Sequence, residues 1–391
     1  MVQTADHRCR TGIFKRGQIL KIILAPDKFK GSMTAEQVCQ IEKEAILSVI
    51  PDAQIICVPL ADGGEGTVRA LTSANGGKLL KTKVRNPLGA ETTAVSGIAG
   101  DTAFLEMAEA SGMALLRPDE LDPLKTSTYG TGEMIRQVLD DGIKNIIIGI
   151  GGSATVDGGT GMAEALGYKF YDKNGSLLTG LCGGLLQKIA RIDGSGADPR
   201  LKNCKIRIAS DVTNPLLGAN GSVAVFAPQK GATAEMMPIL ENGLANLLEI
   251  LKKQTFVSED LPGDGAAGGL GLGLRAFCNA VPESGAKLAI AATHLEEKLC
   301  HADYLITGEG CSDSQTDNGK LCAVAAETCR KHNVRCILLS GKVTGKEFPA
   351  FDRVFATVPA ETPFEEIKHK TAELLRQAAL RLAESLRQAD R

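Results

Sequence analysis

Five times along this chain a short apolar run gives way to a loop built from Gly, Asp, Glu, Ser and Thr, and this recurrence narrows the possible folds more than any other feature. The loops are APDKFKG (Ala25 to Gly31), PLADGGEGT (Pro59 to Thr67), GIGGSATVDGG (Gly149 to Gly159), SDVTNP (Ser210 to Pro215) and TGEGCSDSQT (Thr307 to Thr316). The first follows the run Ile19 to Ala25 and leads to a helical period from Thr34, where Thr34 and Gln37 have the spacing of a capping box. The second follows Ile55 to Leu60 and precedes another helical stretch from Thr67. Strand, helix, strand, helix at this spacing predicts a parallel sheet, because parallel neighbours need a crossover between them. In open parallel sheets ligands bind beyond the carboxyl ends of the strands, so the five loops are expected to gather at one crevice.

The same grammar returns towards the carboxyl end, with predicted strands at Tyr304 to Thr307, Arg335 to Leu339 and Val354 to Val358, and predicted helices at Ala323 to Lys331 and Phe364 to Arg387. Between the two ends the pattern changes. Runs at Leu79 to Val84, Thr92 to Ile98 and Thr102 to Met107 alternate as antiparallel strands do. At 391 residues the chain exceeds the size at which a single core stops growing. The expected fold is therefore α/β, with a parallel-sheet domain built from both chain ends (residues 19–80 and 290–391) around an inserted α+β domain (residues 81–289). Residues 1–18 carry charge without an apolar stretch or a small-residue cleavage site, and read as a mobile extension rather than a secretory signal. The first, second and fifth loops fall in the terminal domain and the third and fourth in the inserted one, so the active site is expected between them.

Composition removes whole classes of function. The net charge is -2 with dispersed basic residues, which leaves no footprint for nucleic acid or an anionic membrane. Aromatics are 4% with no Trp, which argues against stacking platforms for bases or sugars. The eleven cysteines are scattered through apolar runs without C-x-x-C spacing, as in a protein of the reducing cytoplasm, and the five histidines include no H-x-x-x-H, so zinc is set aside. No apolar run approaches the length of a membrane span. The expected partner is a small polar molecule, and the expected assembly is a monomer or homodimer.

The loops carry the chemistry. GIGGSATVDGG has five glycines in eleven residues, and Gly151, Gly152, Ser153, Thr155 and Asp157 lie in it just ahead of a helical stretch. Glycine lets a backbone approach a ligand, and amides at a helix start point at anions, so the segment reads as a phosphate or carboxylate site. It is not a Walker loop, since G-x-x-x-x-G-K-[ST] occurs nowhere. PLADGGEGT sets Asp62 and Glu65 around Gly63 and Gly64, either to hold Mg²⁺ and a substrate hydroxyl or to cap the next helix. Asp211 follows the run Ile206 to Ala209, with Asn214 close behind, which suits a general base or metal contact. TGEGCSDSQTDNGK carries Thr307, Glu309, Asp313 and Gln315 and ends in Lys320, while Lys28 and Lys30 add positive charge on the first loop. Acids for Mg²⁺, lysines for phosphate oxygens and backbone amides are the parts phosphoryl transfer needs. GDGAAGGLGLG (Gly263 to Gly273) either allows close helix packing or frames a nucleotide; no strand precedes it, so it is no dinucleotide fingerprint.

At these loops the sequence resembles the bacterial glycerate kinase family, type 1, through APDKFKGSMTA, PLADGGEGT, EMAEASGMALL, TSTYGTGEMI, GIGGSATVDGG, ASDVTNPLLG, FAPQKGA, GDGAAGGLG and ITGEGCSDSQT. The resemblance implies a flavodoxin-like domain from both chain ends with an inserted α+β domain, ATP with Mg²⁺ as donor, D-glycerate as acceptor and 2-phosphoglycerate as the usual product. Family members often carry Ser at Lys28 and Asn at Val156, so neither side chain is expected to be essential. The usual Pro-Ile-Gly after Lys320 is here Leu321, Cys322, Ala323. On this reading Asp211 or Asp62 accepts the proton of the attacking hydroxyl, Lys30 assists, and Asp211 and Asp313 are the candidate Mg²⁺ contacts. Alternatives are phosphorylation at the 3-hydroxyl, an NAD(P)-dependent hydroxy-acid oxidoreductase, and a two-domain sugar-acid binding protein.

Overall fold

The computed structural model describes residues 19–61, 63–313, 320–344 and 347–389. Its contacts divide the chain into a terminal unit, made from the residues up to Ala61 and from Ala289 onward, and a middle unit, Asp62–Leu288.

In the terminal unit five parallel strands lie in the order Arg353–Ala356, Arg335–Ser340, Tyr304–Thr307, Lys21–Leu24, Gln54–Cys57. Numbered along the chain this is the order 2-1-3-4-5 of a flavodoxin-like sheet. The residues explain the placement. Tyr304–Thr307 is buried throughout and Lys21–Leu24 almost so, as interior parallel strands covered on both faces must be. Gln54–Cys57 and Arg353–Ala356 are part-exposed and form the edges.

Helix Ala35–Val49 begins at the expected capping box, with the Thr34 hydroxyl accepting from the Gln37 amide at 3.3 Å and Gln37 accepting from the Thr34 amide at 2.9 Å. It packs on helix Thr371–Ala389, whose Leu375, Ala378, Ala379, Leu382, Ala383 and Leu386 are fully buried at intervals of one helical face. Each of the three leucines contributes roughly 2 kcal/mol of burial free energy to the unit's core. The predicted continuous helix from Phe364 is broken: Phe364–Ile367 ends and Thr371–Ala389 starts anew, with the Thr371 hydroxyl donating to the carbonyls of Ile367 and Lys368.

The middle unit holds a six-stranded mixed sheet in the order Val281–Glu283, Lys205–Ala209, Asn145–Gly149, Thr102–Glu106, Glu91–Ala99, Lys78–Arg85. The last three are the alternating runs read from the sequence; Glu91–Ala99 pairs antiparallel with both neighbours, and the four strands from Val281–Glu283 to Thr102–Glu106 pair parallel. The lysine-rich strand Lys78–Arg85 is the exposed edge, a composition that discourages pairing with other chains. A small three-stranded sheet, Leu177–Leu178, Lys169–Tyr171 and Arg191–Asp193, stands apart from it.

The first boundary differs from the one expected after residue 80. Helix Thr67–Ala74 lies on Glu91–Ala99 and Thr102–Glu106, so the segment from Asp62 joins the middle unit's core instead of extending the terminal sheet. Among the described residues no helix is long and apolar enough to cross a membrane.

Candidate active site

In the terminal unit the strand order reverses between Lys21–Leu24 and Tyr304–Thr307, and the first and fifth loops leave the carboxyl ends of these two strands. This is the point where open sheets of this order bind ligands. The loops run side by side: the Ala25 and Asp27 amides donate to the carbonyls of Ile306 and Gly308 at 2.7 and 2.8 Å. Thr307 is spent on structure, because its buried hydroxyl donates to the Ala25 carbonyl at 2.8 Å. Glu309 accepts from Ser312 at 3.1 Å, and Ser312 shares a 2.7 Å hydroxyl contact with Ser340. Asp313 and Lys320 face each other at 3.6 Å with side chains 43% and 42% exposed, and Lys30 is exposed. The charged groups of this corner therefore remain accessible to solvent.

In the middle unit a cavity of about 310 Å³ opens beyond the carboxyl ends of Asn145–Gly149, Lys205–Ala209 and Val281–Glu283. Asp211, Ser210, Glu283, Ser284 and Arg275 line it together with Ile150, the second residue of the GIGGSATVDGG loop. One Asp211 oxygen accepts from the Gly285 amide at 3.1 Å, which fixes the carboxylate on the cavity wall. Arg275 is held by Asp264, with contacts of 2.6 and 3.0 Å, and by the Glu259 carbonyl at 2.7 Å.

Beside the cavity three loops meet backbone to backbone. A Cβ on Gly63 would stand 2.3 Å from the Ala209 carbonyl oxygen, and one on Gly149 would stand 2.2 Å from the Gly63 oxygen. These two positions must be glycine for the PLADGGEGT loop to sit across the strand ends. The GDGAAGGLGLG segment approaches the same way: Ala267, Gly268 and Gly269 form a left-handed turn whose Gly268 carbonyl accepts from the Gly158 amide at 3.0 Å. A Cβ on Gly268 would meet the Thr155 oxygen at 1.9 Å. The segment packs closely, as one of the two readings of the sequence expects, and its Gly263, Asp264 and Gly271 also line the cavity.

The acids of these loops divide into two kinds. Asp157 is completely buried and accepts from the Thr128 amide and hydroxyl, both at 2.8 Å, and from the amides of Gly159 at 3.1 Å and Gly161 at 3.3 Å. Burial pushes its carboxyl up while those donors pull it back. Glu106, also buried, accepts from the amides of Val68 at 2.8 Å and Gly66 at 3.3 Å and so caps helix Thr67–Ala74 from a neighbouring strand. Glu65, a candidate for that cap, is exposed instead. Beneath GIGGSATVDGG the buried Lys230 donates to the Ser153 hydroxyl at 2.6 Å and the Thr155 carbonyl at 2.8 Å. Gly151 and Gly152 above it are exposed, and among the described residues their amides donate to nothing.

The glycerate kinase family model matches residues 22–387. The chain belongs to the glycerate kinase family. It is 47% identical over 328 residues to the glycerate 2-kinase of Escherichia coli K12, covering 83% of this chain and 86% of that one. It is 41% identical over 379 residues to the glycerate kinase of Bacillus subtilis 168, covering 95% and 98%. A crystal structure assigned to glycerate kinase 2 of Salmonella typhimurium LT2 superposes with a TM-score of 0.86 at 42% identity, covering 95% of this chain and 99% of that one.

For a glycerate kinase family member the geometry sorts the sequence candidates. Gly63, Gly64, Gly151 and Gly152 stand at the strand ends near the Asp211 cavity, whereas Ser153, Thr155 and Asp157 are buried within the loop. Asn214 does not line the cavity; its amide clamps the Asn220 carbonyl at 2.8 Å. Asp62, Gln315 and residues 1–18 lie outside the described residues. Lys230, Glu106, Arg275 and Glu283 were missed. Arg275 had a signal, being the one charge in the apolar helix Ala266–Cys278, and Glu106 ends an apolar run as Asp211 follows one. Glu283 ends a three-residue strand too short to be read.

The candidate Mg²⁺ contacts, Asp211 and Asp313, belong to different units, and among the described residues no three His, Cys, Asp or Glu side chains could together hold a metal ion. This fits a Mg²⁺ carried on substrate phosphates and touched by one or two carboxylates, and does not fit an all-protein cage.

Proposed function

We propose that the chain is a cytoplasmic enzyme that transfers the γ-phosphoryl group of ATP to the 2-hydroxyl of D-glycerate, giving 2-phosphoglycerate and ADP. The observation that carries the reading is the placement of Asp211. It is a carboxylate anchored by the Gly285 amide on the wall of a strand-end cavity, beside a glycine loop with outward amides, in a chain of the glycerate kinase family. Membership of a kinase family supports ATP as donor. Asp211 accepts the hydroxyl proton as the oxygen attacks phosphorus, and the Gly285 amide holds its carboxylate on the cavity wall for that task. In the middle unit the Gly151 and Gly152 amides orient an anionic substrate group; in the terminal unit Lys30 and Lys320 are the accessible cations suited to phosphate oxygens. Mg²⁺ would neutralise phosphate charge, and each unit offers one candidate carboxylate for it, Asp211 in the middle unit and Asp313 in the terminal unit.

Phosphorus NMR of the product from ATP and D-glycerate tests the reading. A single 2-phosphoglycerate resonance is expected. 3-Phosphoglycerate would overturn the regiochemistry, and no phosphoglycerate at all would overturn the kinase assignment for this chain.

A further inference from the structure

A fully buried lysine with hydrogen bonds only to uncharged groups is costly, because an ammonium taken out of water loses its solvation. Lys230 is such a residue. It closes the turn Pro228–Lys230, its side chain is buried, and its partners are a hydroxyl and a carbonyl, Ser153 Oγ at 2.6 Å and Thr155 O at 2.8 Å. Both partners belong to the GIGGSATVDGG loop. The opposite face of that loop carries Gly151 and Gly152, exposed and with amides that no described residue accepts from, and Gly152 has φ +75°. Thr155 Oγ1 is buried without a described partner. The one charged group acting on Lys230 is Asp157 of the same loop, whose carboxylate is already engaged by Thr128, Gly159 and Gly161; Asp122 acts with Asp157 on Cys182.

We propose that Lys230 is a positioning residue for substrate phosphate: its side chain braces the Gly151–Gly152 turn through Ser153 and Thr155 and places a positive charge behind the anion that the turn receives. The inference rests on the reading of this loop as the phosphate site. Burial lowers the ammonium to about 7, with Asp157 acting in the opposite direction. In the free protein the charge is therefore present below neutral pH and lost as pH rises through that value. An anion on the outer face favours the protonated form, so ATP binding above neutrality is coupled to uptake of a proton by Lys230.

Steady-state kinetics of Lys230→Met against the unaltered enzyme test this. At about pH 6.5 the variant is expected to raise KM for ATP roughly tenfold with kcat changed by less than about threefold, and the gap is expected to narrow by about pH 9, where neither enzyme carries the charge. A lysine that only supports the fold gives a lower melting temperature with an unchanged KM for ATP, or a gap independent of pH, and either result overturns the proposal. If Lys230→Met does not fold, calorimetry of the unaltered enzyme with a non-hydrolysable ATP analogue at about pH 8, in buffers of different ionisation enthalpy, decides. Proton uptake supports the proposal; none overturns it. Gly152→Asp separates this inference from the reading beneath it. If that variant raises KM for ATP and Lys230→Met does not, the role of Lys230 fails alone. If neither changes it, the loop is not the phosphate site and both fail.

Discussion

The loops that follow Tyr304–Thr307 in the terminal unit and Asn145–Gly149 in the middle unit are built from the same residue types, leave equally buried central strands, and are organised in opposite ways. In the middle unit the acid is folded inward. Asp157 has no exposure and four donors, the lysine beneath is buried too, and what faces outward is the glycine backbone. In the terminal unit hydroxyls are spent on structure, through Thr307, Ser312 and Ser340, and the charged side chains Asp313 and Lys320 are left at the surface. An acid whose hydrogen-bonding capacity is used by amides at a helix start belongs to the scaffold. An acid at a strand end on a cavity wall faces the space a ligand would fill, and in the middle unit that acid is Asp211.

The contrast breaks most visibly at Asp157. Replacing it by Ala leaves the amides of Thr128, Gly159 and Gly161 buried without an acceptor, and is expected to destabilise the middle unit by about 3–5 kcal/mol. Urea denaturation measures this, and a loss below about 1 kcal/mol would place Asp157 outside the scaffold. At Asp211 the expectation reverses. Asp211→Asn keeps an oxygen for the Gly285 amide, so stability is expected to stay within about 1 kcal/mol while kcat falls by a factor of about 10² to 10⁴. A variant that retains near-full turnover would remove Asp211 from the chemistry.

Much of this division was within reach of the sequence, and the failures have physical causes. The buried strands, the capping box at Thr34 and the strand-end position of Asp211 were legible because each depends on residues close together in the chain. What was not legible depends on distant partners. Asp157 and Asp211 look alike as acids on loops after apolar runs; Thr128, 29 positions away, takes up the first, and only the fold brings it there. Lys230 reads as a surface lysine until the loop 77 positions before it is laid over it. The Ala61/Asp62 division was missed because Glu106, 38 positions beyond Val68, caps the helix that follows the second loop and helps draw that segment into the middle unit. The strands Lys169–Tyr171, Leu177–Leu178 and Arg191–Asp193 are two or three residues long, too short for any periodicity to show.

The smallest effect on stability belongs to the terminal unit, where the comparison is sharpened by what does not happen. The Asp313–Lys320 pair is separated by 3.6 Å with both side chains about two-fifths exposed, so water and salt screen most of its attraction. Lys320→Met is therefore expected to change unfolding free energy by less than about 0.5 kcal/mol. If the lysine is kept at the surface for phosphate, the same variant raises KM for ATP by roughly three- to tenfold, and added salt weakens ATP binding more in the unaltered enzyme than in the variant. Measured together, a near-zero stability change with a salt-sensitive KM marks the group as facing a ligand. A stability loss near that of Asp157→Ala with KM unchanged would mean that the terminal loop, too, turns its charge inward, and the contrast between the two units would be gone.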